Sequence, residues 1–171
     1  MKARKPLFLS FMLIAALTLS AQIKIPNTKA SLTLPEKGWK YLETTKVDDN
    51  TTVYLYAYSG DYVIDNAGDT VLPFIRIYVR RNFKGTVYDL AYSRFMKQPF
   101  QSLDEHVYDN GGLEYLGAYT NEQDGKDYEF RMLYIKDHDN ILEIRLETTV
   151  DNFEQFDETF QNIVNSVNIS K

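Results

Sequence analysis

Catalysis by imidazole needs a histidine beside an orienting carboxylate and usually a nucleophile, and this chain offers only His106 and His138. His138 falls in the turn-like run DHDN and His106 in a polar stretch after a helical segment, so both read as exposed loop residues. No G-x-S-x-G, P-loop or H-E-x-x-H motif occurs, and no cysteine is present to supply a thiolate nucleophile, a thiolate metal site or a disulfide. Asp61, Asp65 and Asp69 sit in a glycine-containing stretch and could offer oxygen ligands to calcium. Their spacing is not that of an EF-hand loop, and turns favour Asp, Asn and Gly for backbone reasons alone. On this reading no catalytic residue, cofactor or metal ligand is assigned.

The remaining candidates are arginines and tyrosines in strand-like segments. Residues two apart in a strand share a face, which groups Glu129 with Arg131, and Glu143 with Arg145 and Glu147. With Arg76 these predict one sheet face carrying Arg76, Arg131 and Arg145 from three strands. Cross-strand ion pairs on a solvated face account for such a set; an anion or partner site is the alternative. In TTVYLYAY, Tyr54, Tyr56 and Tyr58 line one face and Val53, Leu55 and Ala57 the other. Tyrosine joins a large contact area to a polar tip, which suits an interface and equally the margin of a helix-covered core. Tyr54, Tyr56, Tyr58, Arg76, Arg131 and Arg145 are therefore the candidate partner- or ligand-binding positions.

Strands must hold most of these residues. Thirteen Tyr and ten Phe, with many Thr, Val and Ile, favour a pleated, half-buried surface. Leu32 and Leu34 share a face of a strand ended by Pro35, and Gly38 allows the turn before Trp39. A turn cluster at Asp65 to Asp69 precedes a strand from about Phe74 to Arg81. The period then changes: Thr86 and Asp89 have capping-box spacing, and Val87, Leu90, Ala91 and Phe95 form a helical stripe that Pro99 ends. After a polar connection, strands at about Glu114 to Thr120, Tyr128 to Lys136 and Ile141 to Val150 make a meander turned at Asp124-Gly125 and DHDN. A last helix, expected to be capped by Asp151 with Glu154 three residues on, carries Phe153, Phe156, Phe160, Ile163, Val164 and Val167 along one apolar stripe.

The chain opens MKARKPLFLSFMLIAALTLSAQ, a basic start, an apolar run too short to span a bilayer comfortably, and small residues at Ser20 and Ala21. This predicts a signal peptide over 1–21, cleaved after Ala21, with an uncleaved anchor as the alternative. Without a cysteine after the run, no lipid anchor is expected. The product is periplasmic or secreted, with one domain over 22–171, about 150 residues and enough to bury roughly two-thirds of its unfolded surface. Lys2, Arg4 and Lys5 leave with the leader, so the mature chain carries 16 basic and 24 acidic residues, a net charge of −8. Nucleic-acid backbones and anionic membranes need a basic face, so neither is an expected partner.

The order strands, helix, strands, helix, the opening SLTLPEKGW with Pro35 and Trp39, the Pro73-Phe74-Ile75 strand start and the ending ILEIRLETTVDNFEQFDETFQNIVNSVNI resemble the PsbP-like superfamily, which includes exported bacterial proteins of the DcrB type. Val167 departs from the phenylalanine often found there, and Gly60 to Leu72 forms a longer hairpin than the pattern requires. The resemblance implies an α+β fold, an antiparallel sheet flanked by helices as an α/β/α sandwich. It also implies a non-enzymatic binding or accessory domain that docks to a protein partner. A small-ligand carrier with a pocket between sheet and helix is the alternative.

Overall fold

Alternating apolar and polar residues, interrupted by two helical stripes, set the chain path. The computed structural model describes residues 20–35, 37–97 and 100–170. The expected leader, up to residue 19, and the expected helix stop at Pro99 lie outside the described residues. The elements are β1 (Ser20–Lys24), β2 (Ala30–Pro35), β3 (Trp39–Lys46), β4 (Thr51–Tyr58), β5 (Val63–Ile64), β6 (Thr70–Val71), β7 (Phe74–Arg80), α1 (Val87–Phe95), β8 (Ser102–Val107), β9 (Leu113–Thr120), β10 (Asp127–Asp137), β11 (Asn140–Thr149), α2 (Val150–Asn165) and β12 (Asn168–Ile169). Seven strands form one antiparallel sheet in the order β3-β4-β7-β11-β10-β9-β8, with β3 and β8 at its edges. A small sheet β1-β2-β12 and the hairpin β5-β6 complete the strands. Ser20 to Lys24 pair with Pro35 to Ser31, so the expected cleavage after Ala21 would remove the first two residues of β1.

One face of the large sheet is apolar. Ile75, Ile77 and Val79 of β7, Leu142, Ile144 and Leu146 of β11, and Leu133 and Ile135 of β10 are buried there under Phe153, Phe156, Phe160, Ile163 and Val164 of α2. Trp39 closes the β3 side, its ring 5.7 Å from Tyr58 and 6.0 Å from Phe160. Leu32 and Leu34 of β2 join the same core, and the backbone N–H of Thr33 donates to Ser166 Oγ just past the helix end. On the opposite face Val87, Leu90 and Ala91 of α1 pack with Tyr115, Phe130, Met132 and Tyr134. The result is the expected α+β sandwich, helix on sheet on helix.

Three local features differ from the sequence expectation. β11 runs straight into α2, so Thr149 takes the N-cap position and Asp151 falls inside the first turn. Its Oδ2 instead accepts from the Asn66 N–H and ties the β5-β6 hairpin to the helix. The polar stretch after α1 is an edge strand, β8, exposed from Leu103 to Val107, so His106 lies on a strand. Over Asp65 to Asp69 the cation is the chain's own: Lys126 Nζ donates to Asp65 and, at 2.8 Å, to Asp69. The hydrogen bonds from Lys126 and from the Asp69 backbone hold the Asp65 carboxyl below its usual range. The capping box of α1 is as expected, with Thr86 Oγ1 accepting from Asp89 N–H and Asp89 Oδ2 from Thr86 N–H.

Phe160, fully buried against Trp39, Phe153 and Phe156, is the centre of the α2 contact. Phe160→Ala is expected to lower unfolding free energy by about 3–5 kcal/mol, whereas Gln155→Ala on the exposed face should stay within about 0.5 kcal/mol, both read from urea unfolding of the folded chain.

Candidate functional site

Strand register decides which candidates meet. Residues directly opposite in an antiparallel pair share a face, and Arg145 stands opposite Arg76 of β7 and Met132 of β10, while Arg131 stands opposite Leu146. Arg76 and Arg145 therefore lie on the α1 side and Arg131 on the α2 side, not on one common face. Spacing within each strand is visible in sequence; the parity of one strand relative to the next is set by register and is not. Nor is the charged face solvated, because Glu143 and Glu147 are fully buried and Arg145 is nearly so. The tyrosine stripe belongs to the α2 core: Tyr54 is buried, and Tyr56 and Tyr58 are half-buried against it.

The α1 face carries an arginine-glutamate layer. Glu143 accepts from Arg80 Nη2 at 2.9 Å and, on both its oxygens, from Arg94 of α1, with Nη2 at 2.8 Å. Glu147 accepts from Arg76 Nη1 and from the Tyr119 hydroxyl at 3.1 Å. Arg145 Nε lies 2.5 Å from Glu147 Oε2. Aromatic faces complete the layer: the guanidinium of Arg145 lies 4.6 Å from the Tyr119 ring centre and 5.3 Å from that of Phe130, and that of Arg94 lies 5.1 Å from that of Tyr78. Burial works to lower the Arg94 pKa, but the Glu143 carboxylate outweighs it and the net shift is upward. Burial, reinforced by Glu147, raises the Tyr119 phenol. Arg80, Tyr119 and Arg94 are members that sequence reasoning did not single out, and Arg94 is the one supplied by the helix. It continues the inner stripe Val87, Leu90, Ala91 at helical spacing, a signal open to view but hidden by its charge.

Across the sheet, Arg131 joins two elements, donating through Nε to Asp157 of α2 at 2.7 Å and through Nη1 to Glu114 of β9 at 2.9 Å. Tyr108 donates to the other Glu114 oxygen at 2.6 Å. Arg131, Glu114 and Tyr108, with Asp104, His106, Leu116, Gln161 and Asn165, line an open groove of about 310 Å³ between β8, β9 and α2. Burial and the hydrogen bond to Glu114 push the Tyr108 pKa up to about 12. Burial, with Asp157 nearby, raises the Glu129 carboxyl. His106 meets the Tyr108 ring edge-on, and His138 contacts only the adjoining Asp137 among ionic partners of the described residues.

Apolar surface gathers on the outer side of α1. Tyr88, Tyr92 and Met96, spaced by four, are 49%, 67% and 70% exposed, and Leu103 and Val107 of the open edge β8 are exposed on the same side of the sheet. At the other edge Tyr41, Leu42 and Val47 are exposed.

No protein-family model matches the sequence, and no curated protein matches it. Among solved structures, cyanobacterial PsbP (CyanoP) from Synechocystis sp. PCC 6803 superposes with a TM-score of 0.56 at 12% identity, covering 91% of this chain and 95% of that one. The chain has the PsbP-like fold. The Ran-binding protein Mog1p of Saccharomyces cerevisiae shares it, with a TM-score of 0.56 at 11% identity over 89% of this chain and 96% of that one. So does LpqN of Mycobacterium tuberculosis, involved in cell envelope biogenesis, at 0.51 and 11% over 90% and 91%. At these identities the likeness is one of fold.

The groove gives a pH prediction. The Tyr108 phenol has a folded pKa of about 12 against an ordinary 10.0, so the folded chain binds this proton more tightly than the unfolded chain. Stability tied to the neutral phenol is complete below about 10 and is lost as pH rises through 12. Tyr108→Phe should remove that part of the alkaline decline, measured by urea unfolding between pH 9 and 12; an unchanged decline would contradict the assignment.

Proposed function

We propose that the chain is an exported, non-enzymatic accessory domain of the bacterial envelope that docks to a protein partner through the outer face of α1 and the adjoining β8 edge. The observation that carries this reading is the stripe Tyr88, Tyr92 and Met96, left in water by a helix whose inner side is fully engaged. Aromatic residues and methionine are enriched where proteins meet, and contiguous exposed apolar surface marks such sites. Export is supported by the basic and apolar leader, and an envelope role by the printed role of LpqN. A protein partner is consistent with Mog1p, a Ran-binding protein on the same fold. Both are analogies of fold and say nothing of which partner is bound.

A carrier would need a largely enclosed, mostly apolar pocket. On the β3 side the space between sheet and α2 is filled by Trp39, Tyr58, Phe156 and Phe160, the groove beside Arg131 is open and lined by charged side chains, and the apolar recess at Leu133, Ile135, Val164 and Val167 is small, about 260 Å³. This favours docking over carriage.

The double variant Tyr92→Asp, Met96→Asp changes only exposed side chains, so its circular dichroism and thermal midpoint should match the wild type to within a few degrees. With a photo-crosslinker at position 88, the wild type is expected to give one reproducible protein adduct in envelope membranes or periplasm, and the double variant to lose it. An adduct unaffected by the double substitution, or none at all, would overturn the α1 face as the docking surface.

A further inference from the structure

The two edges of the large sheet are built differently. An edge strand exposes a row of unpaired N–H and C=O groups that templates another strand unless bulges, lysines or prolines blunt it. β3 is blunted: its register against β4 shifts between Tyr41 and Glu43, and Lys40 and Lys46 lie on it. β8 has no such device. Its register against β9 runs unbroken from Ser102 opposite Ala118 to Val107 opposite Leu113, the strand SLDEHV contains neither lysine nor proline, and β9 is its one strand neighbour among the described residues. Hydrogen-bonded pairs alternate along an antiparallel ladder. Tyr108 N–H donates to the Gly112 carbonyl at 2.8 Å just past the strand end, so His106 and Asp104 also bond toward β9. The N–H and C=O groups of Leu103, Glu105 and Val107 therefore point away from the sheet.

The side chains of β8 select what can pair there. Glu105 stands opposite Tyr115 and accepts from its hydroxyl at 2.6 Å, which places Leu103, Glu105 and Val107 on the α1 side. Asp104 and His106 face the groove, where the charge of Arg131 is already taken up by Glu114 and Asp157. An incoming strand thus meets exposed apolar residues at Leu103 and Val107 and, between them, the exposed carboxylates of Asp104 and Glu105, one on each face. We infer that β8 is extended by one strand of a partner, a segment as long as this six-residue strand, basic at the two positions opposite Asp104 and Glu105 and apolar opposite Leu103 and Val107. In strand addition the backbone bonds supply affinity and the alternate side chains supply specificity, with cross-strand pairs of opposite charge or of apolar residues adding to it. A second copy of this chain does not fit. Pairing β8 with itself about Glu105 would set two Glu105 carboxylates side by side, and residues 22–171 carry 24 acidic against 16 basic residues. The inference rests on the β8 edge being part of the docking surface proposed above, and names the chemistry of the partner there.

The test adds the peptide acetyl-Thr-Val-Thr-Lys-Lys-Val-Thr-amide to the folded chain and follows ¹H–¹⁵N spectra. A second peptide is N-methylated at both valines and the first lysine, the residues whose N–H groups would face β8. The unmodified peptide is expected to shift the Leu103, Glu105 and Val107 amide resonances saturably and to slow their hydrogen exchange, and the methylated one to do neither. Asp104→Lys, an exposed change, should weaken the affinity severalfold. Val107→Pro removes an outward donor without touching the β9 ladder, so circular dichroism should be unchanged while binding falls. Equal binding of the methylated peptide, binding of a peptide with glutamate in place of both lysines, or no saturable shift would overturn the inference. So would edge shifts that grow with the concentration of the chain alone, which mark self-pairing. The two readings fail separately: a persistent adduct at position 88 without peptide binding overturns the added strand and leaves docking to α1, whereas peptide binding without the adduct upholds the added strand and overturns the α1 face.

Discussion

Two glutamates on the central strand of the sheet govern how the rest is arranged. β11 is flanked on both sides and buried on both faces, yet it carries Glu143 and Glu147 on one of them. An ionised carboxylate away from water is tolerated only when paired and hydrogen-bonded. Register answers part of that demand, because β7 places Arg76 opposite Arg145 and Tyr78 opposite Glu143, bringing Arg76 and Arg80 within reach. The remainder comes from α1, whose Arg94 reaches down to Glu143. The short helix is thus seated by an ion pair as well as by Val87, Leu90 and Ala91, and its outer stripe is left facing solvent.

The other face is mainly apolar, with a single buried carboxylate, Glu114, paired with Arg131 at its β9 margin. Ile75, Ile77, Val79, Leu142, Ile144 and Leu146 form a continuous apolar surface, and α2 covers it with a phenylalanine-rich stripe. The two faces divide the work: one holds the fold by apolar burial, the other places a charged layer and an apolar outer stripe beside each other. A shared fold does not transmit a function.

What was legible in the sequence was whatever depends on periodicity within one segment. The α2 stripe, the Thr86 to Asp89 capping box, the three-strand meander and the alternation of Tyr54, Tyr56 and Tyr58 all follow from local spacing. What was not legible depends on relations between segments. The parity of Arg131 against Arg145 is fixed only by the pairing of β10 with β11. The strand character of SLDEHV is masked because an edge strand exposed on both faces loses its alternation. Lys126, 57 residues beyond Asp69, had no local signal to mark it as the cation of that loop. Arg94 was hidden by the expectation that charged helix residues face water, although its spacing placed it inside.

The account stands on α1 being held to the sheet by the Arg94 to Glu143 pair in a partly dehydrated layer. A double-mutant cycle with Arg94→Ala and Glu143→Gln, read from urea unfolding at neutral pH, measures that directly. The structure predicts a coupling energy of about 1–3 kcal/mol, as for groups within one buried network. A coupling below about 0.3 kcal/mol, the value of an exposed pair that contributes little, would contradict it and leave α1 placed by apolar contacts alone.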